Sequence, residues 1–167
     1  MGFADVLLPE FDLEMTTTRR VLERVPYEKA TWKPHDKSFA LGHLAQLVAG
    51  IPGWIPRTLR DSRIDLAASP GYSFEKTSSL LEMFDANVSS AREAIGAVSD
   101  AELETEWQLV RGDMVLWTTP RHVAVRSHVN HLIHHRGQLT VYLRLIDVPI
   151  PPIYGPTADE QPTQGPN

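Results

Sequence analysis

Apolar residues recur at alternating steps of three and four in three separate stretches of this chain, a spacing that fits helices burying one stripe each. Leu8, Phe11, Met15, Leu22 and Val25 carry the first stripe, with Thr18 in the series. Leu81, Phe84, Val88, Ala91, Ile95 and Val98 carry the second, and Val125, Val129, Leu132, Leu139, Leu143 and Ile146 the third. A further helix, capped by Ser38, turns Leu44, Leu47, Val48, Ile51, Trp54 and Ile55 inward, while Pro52 and Pro56 predict a break near Ile51. Four amphipathic helical segments predict an all-α fold, a four-helix bundle with a small β-hairpin before the last helix.

The boundaries follow from local chemistry. Residues 4–25 form the first helix, with Pro9 near its first turn and Pro26 as its stop. Residues 27–37 read as a connector in which Trp32 is a core anchor, and residues 61–74 as a loop. Ser79 and Glu82 have capping-box spacing at the start of the next helix, with Thr77 and Ser78 as alternative caps. Ser99 and Glu102 repeat the spacing before a short turn. Between Thr105 and Thr118 a hairpin is expected around Arg111-Gly112-Asp113, a turn rather than a recognition motif. Pro120 opens the last helix, which runs to about Ile146. Proline-rich residues 149–167 follow, with Thr163 to Asn167 as a frayed tail.

The length of 167 residues suits one domain spanning 1–167. Lysines and arginines are scattered and the formal net charge is −5, which disfavours wrapping nucleic acid. No apolar run reaches the roughly 20 residues that span a bilayer, and the N-terminus lacks a basic leader, so a soluble cytoplasmic protein is expected. With no cysteine in the chain, any metal must be held by His, Asp or Glu.

Four of the seven histidines fall within residues 128–135. At about 100° per residue, His128, His131, His135, Gln138 and Tyr142 form one polar stripe beside the apolar stripe of the last helix, while His134 points elsewhere. His131 and His135, at i and i+4, bring two imidazoles within reach of one ion. The same spacing also suits two half-buried hydrogen-bonding histidines. Arg136 falls on the apolar stripe and needs a buried partner, for which Glu10, Asp12 and Glu14 are candidates, as is a cluster of backbone carbonyls. Gly137, which costs about 1 kcal/mol in mid-helix, predicts a close helix approach.

The motif Asn130-His-Leu-Ile-His-His-Arg-Gly-Gln138 resembles that of the DinB/YfiT-like superfamily. Supporting stretches are Leu8-Pro-Glu-Phe-Asp12, Trp32-Lys-Pro-His-Asp-Lys-Ser38, Leu41-Gly-His-Leu-Ala45, Ile51-Pro-Gly-Trp54 and Tyr154-Gly-Pro-Thr-Ala-Asp159. The resemblance implies an antiparallel four-helix bundle with a long crossover, a homodimer, and a divalent metal, zinc or nickel, bound by three histidines. Two of these match His131 and His135. The position of the family's third histidine holds Leu47 here, and His43 lies one turn earlier. Three outcomes follow: His43 completes a displaced site, water or an exogenous ligand completes a weaker one, or no metal binds. The first is the expected one.

The implied function is that of a metal-dependent enzyme on a small molecule, similar to the family's thiol-S-transferases or to a hydrolase. His128, Gln138 and Tyr142 would contact the substrate or support the ligands, and any thiol would be an external low-molecular-weight cosubstrate. The alternative is a non-catalytic dimeric bundle with a degenerate site.

Overall fold

The computed structural model describes residues 2–68, 71–73 and 76–161. Helix α1 spans Phe3–Leu22, α2 Leu41–Gly50, α3 Trp54–Arg60, α4 Thr77–Ala97, the short α5 Asp100–Leu103, and α6 Arg121–Leu145. Because α1 begins at Phe3, Pro9 lies inside it rather than in its first turn. The Asp5 carboxylate accepts the Gly2 N–H at 2.8 Å, and Asp100 accepts the Phe3 N–H at 3.2 Å, so the donors at the helix start are engaged. The helix stops before Val25, where short bonds from Arg24 N–H to Leu22's neighbour Val21 and from Val25 N–H to Leu22 tighten the last turn.

Ser38 does not cap α2. Its N-cap is Ala40, and the connector itself supplies the acceptors: Leu41 N–H donates to the Trp32 carbonyl at 2.7 Å and Gly42 N–H to that of Ala30 at 2.9 Å. The break predicted near Ile51 is present as a 3₁₀ turn, Ile51–Gly53, between α2 and α3. Asn87 on α4 donates its side-chain amide to the Ala49 carbonyl at 3.0 Å, closing an acceptor that the break leaves free. Helix α4 starts at Thr77, whose hydroxyl donates to the Val25 carbonyl, so the Ser79 spacing is not its cap. The Ser99–Glu102 capping box forms as expected at α5.

Helix α1 packs on α4 and α6, and α2 and α3 pack on the same two helices. Phe11, Leu22, Leu44, Val48, Ile51, Phe84, Ile95, Val129, Leu139 and Leu143 fill the space between them and are essentially inaccessible. The fold is mostly helical but not all-α. The expected hairpin forms from β2, Glu106–Arg111, and β3, Met114–Pro120, around Gly112 at φ +57°, a left-handed conformation that suits glycine. A third strand, β1, Arg63–Asp65, lies parallel to β2 within the stretch expected to be loop. Residues 69, 70 and 74 of that stretch lie outside the described residues. Ile64, Trp107 and Ala124 form a second small core beneath the sheet.

Arg136 is buried as its position required, and its partner is Glu14, with an N–O distance of 2.7 Å. The guanidinium also donates to the Glu14 carbonyl and the Thr18 hydroxyl, each at 3.1 Å, and to the Tyr154 hydroxyl at 2.9 Å. Tyr154 in turn donates to Glu14 at 2.9 Å, which closes the network. Gly137 departs from expectation: among the described residues no atom outside its own stretch of helix lies within 4 Å of where its Cβ would stand, so close packing against them is not its reason. After α6 the chain folds back, with Ile150 to Pro152 buried and Asp159 accepting the Ile150 N–H at 2.9 Å. The predicted frayed segment, 163–167, lies outside the described residues. Among the described residues no helix is long and apolar enough to cross a membrane.

Candidate functional site

The long, unbroken α6 brings His131 and His135 onto the same side one turn apart, and their Nε2 atoms stand 2.8 Å from each other. Gln138, a further turn along, places its Oε1 at 2.7 Å from Nδ1 of His135. A carbonyl oxygen only accepts, so Nδ1 of His135 carries the proton and its Nε2 presents a lone pair toward His131. The His131 Nε2–H then donates to it. Two imidazoles on one ion, at about 2.0–2.1 Å each, have their nitrogens roughly 2.9–3.4 Å apart for angles between octahedral and tetrahedral. The pair would fit such an ion after opening by a few tenths of an ångström and after His131 shifts its proton from Nε2 to Nδ1, and Gln138 already fixes the ligating tautomer of His135 as a supporting carbonyl does in metal sites. Burial first, and the neighbouring His135 and His134 next, lower the His131 pKa and favour its neutral form.

The pair is incomplete. Among the described residues no group of three or more His, Asp or Glu is arranged to hold a metal ion. His43 sits between two aromatic rings, with centroids at 4.3 Å to Phe39 and 3.6 Å to Tyr72, and burial lowers its pKa. Phe39 also reaches His135, at 6.3 Å between centroids, and so connects the His43 stack to the pair. Leu47 is buried and lines a groove beside Trp54, whose ring lies 5.5 Å from that of His131.

His128 occupies a different setting from its neighbours on the stripe. It is buried, hydrogen-bonded to the Thr58 hydroxyl at 2.9 Å, and flanked edge-on by Trp54 and Trp107 at 5.6 and 5.8 Å. Tyr142 packs edge-on against Trp32 at 5.7 Å. Hydrogen bonds therefore join His131, His135 and Gln138, whereas His43 and His128 connect to the pair through the rings of Phe39 and Trp54, and Tyr142 packs against Trp32. Sequence reasoning missed Phe39 and Tyr72. Tyr72 lies in an aperiodic stretch nearly thirty residues from the histidine it stacks on, and no local pattern signals that contact.

Burial, with His131 adding to it, pushes the His128 pKa from 6.5 down to about 4. Between those values the unfolded chain binds more protons at this site than the folded one does. The stability that neutral His128 contributes is therefore complete above pH 6.5 and is lost as the pH falls toward 4. The interval corresponds to about 3 kcal/mol. Urea unfolding of the parent is expected to weaken over this window and that of His128→Gln to weaken less; equal slopes in the two proteins would contradict the assignment.

The sequence pattern of the DinB family matches residues 1–165. Among solved structures, a DinB-like protein from Bacillus cereus ATCC 10987 superimposes with a TM-score of 0.70 at 20% identity, covering 88% of this chain and 95% of that one. A DinB-like protein from Bacillus subtilis gives a TM-score of 0.69 at 16% identity, covering 88% and 96%. At these identities the likeness concerns the fold. A comparison with curated proteins returns no match.

Proposed function

Since the chain belongs to the DinB family, we propose that it acts on a small molecule at a divalent metal held by His131 and His135, with the remaining positions completed by water or by the small molecule itself. The observation that carries this reading is the convergence of two Nε2 atoms at 2.8 Å with Gln138 holding the His135 tautomer. Zinc or nickel bound there would lower the pKa of a coordinated thiol or water and so supply a nucleophile near neutral pH. The chain's own residues do the rest. Gln138 orients His135, Trp54 lies against His131, and Leu47 supplies no donor at the third-ligand position, so an exogenous one would complete the shell. A reacting thiol must be external, because the chain has no cysteine.

The same reading places four helical segments in an antiparallel bundle with a long crossover, supported by α1 and the broken α2–α3 pair each packing between α4 and α6. It also takes the protein to be cytoplasmic and a homodimer. Support for a second copy comes from the exposed apolar residues Val6 and Leu13 on α1 and Val123, Val141 and Leu145 on α6.

Zinc titrated into metal-free protein is expected to bind at one equivalent per chain, and equally well in His43→Ala. Loss of affinity in that variant would restore His43 as the third ligand and contradict the two-histidine site. A second reading, a binding protein without turnover, is favoured by the missing third ligand among the described residues. Thiol-transfer or hydrolytic activity that chelation removes selects the enzyme; metal binding with no such activity selects the binder.

A further inference from the structure

The groove that Leu47 lines extends along α2, α3 and α4, has a volume of about 300 Å³, and is walled by Leu47, Trp54, Tyr72 and Met83. Among the described residues its one charged lining residue is Arg57. Trp54 and Arg57 lie three residues apart on α3 and so share a face. Among the described residues the exposed Arg57 side chain, like that of Arg111, makes no hydrogen bond or ion pair, and no carboxylate lines the groove. In a chain of net charge −5, an uncompensated guanidinium at an apolar groove is a local attractor for anions. Two polar lining atoms are already engaged: Gln46 Oε1 accepts the Ser73 N–H at 2.9 Å, and Asn87 Nδ2 donates to the Ala49 carbonyl at 3.0 Å.

We propose that this groove binds a small amphipathic monoanion, its carboxylate on Arg57 and its aromatic or aliphatic body against Trp54, Tyr72 and Met83. The site rests on and deepens the function proposed above: among the described residues no histidine lines the groove, but its wall residues Trp54 and Tyr72 contact the rings of His131 and His43. An apolar body alone would not exploit Arg57, and an inorganic anion would not exploit the aromatic walls. Both features together define the ligand class.

Phenylacetate titrated into metal-free protein, followed by tryptophan fluorescence and calorimetry, provides the test. Binding is expected, weakened about tenfold in Arg57→Gln and about tenfold when phenylacetamide replaces phenylacetate, because each change removes the charge-assisted hydrogen bonds. Acetate is expected to bind far more weakly than phenylacetate. The titration uses metal-free protein, so the groove is tested independently of the metal. No binding by the parent, or equal binding by Arg57→Gln, overturns the proposal even if zinc binds at the histidines. Arg57-dependent binding in a protein that takes up no zinc upholds it and removes the metal reading instead.

Discussion

Arg136→Ala is expected to destabilise the protein by about 3–5 kcal/mol, the usual cost of stripping one partner from a buried ion pair. The guanidinium and the Glu14 carboxylate are only 2% and 5% exposed, so neither is compensated by water. Removing Arg136 leaves Glu14 without its counter-charge and takes the donor away from Thr18 and Tyr154 together. The Oε2 contact is an ion pair without hydrogen-bond alignment, which makes the charge of Arg136, rather than its geometry, the larger part of what Glu14 needs. A variant carrying both Arg136→Met and Glu14→Leu should therefore regain much of the loss, since an apolar pair of similar volume buries no charge. Urea unfolding at pH 7 reads both effects. A loss below about 1 kcal/mol for Arg136→Ala would mean that the network is not a closed one.

His135→Ala is expected to weaken zinc binding at least about a hundredfold, because a lone imidazole on a helix loses the chelation that the i and i+4 spacing supplies. Gln138→Leu should weaken it by roughly 10–100-fold while keeping both ligands, since the His135 ring would lose the acceptor that fixes its tautomer. Gln138 is exposed, and the substitution disturbs no core packing. Calorimetric titration of metal-free proteins separates the two effects. Parent-like affinity in His135→Ala would place the metal elsewhere.

The helical stripes were legible because burial enforces their period. Phe11, Phe84, Val129 and Leu143 each fall where the three-four spacing puts them. So were the break at Ile51, dictated by prolines with few backbone choices, and the turn at 112, where glycine accepts a positive φ that other residues resist. The buried Arg136 announced itself by its place on an apolar stripe, and Glu14 was among the three acids proposed for it. Other features had no local signature. Strand β1 is three residues long, too short for any periodicity, and exists because β2 offers it an edge. Helix α2 begins at Leu41 because carbonyls of Ala30 and Trp32 reach it through the tertiary fold, an arrangement that a Ser38 cap signal does not reveal.

In the site, i and i+4 spacing found His131 and His135, and the following turn found Gln138. The spacing of His43 along α2 said nothing about Phe39 and Tyr72, which enclose its ring. Contacts between elements decide what a histidine can reach, and they are long-range facts.

X-ray absorption at the zinc edge, on protein loaded with one equivalent of zinc, counts the imidazoles around the ion directly. Two histidine ligands, with oxygen donors completing the shell, are predicted, and the spectrum of His43→Ala should be the same. Three imidazoles in the parent and two in His43→Ala would contradict the two-histidine centre.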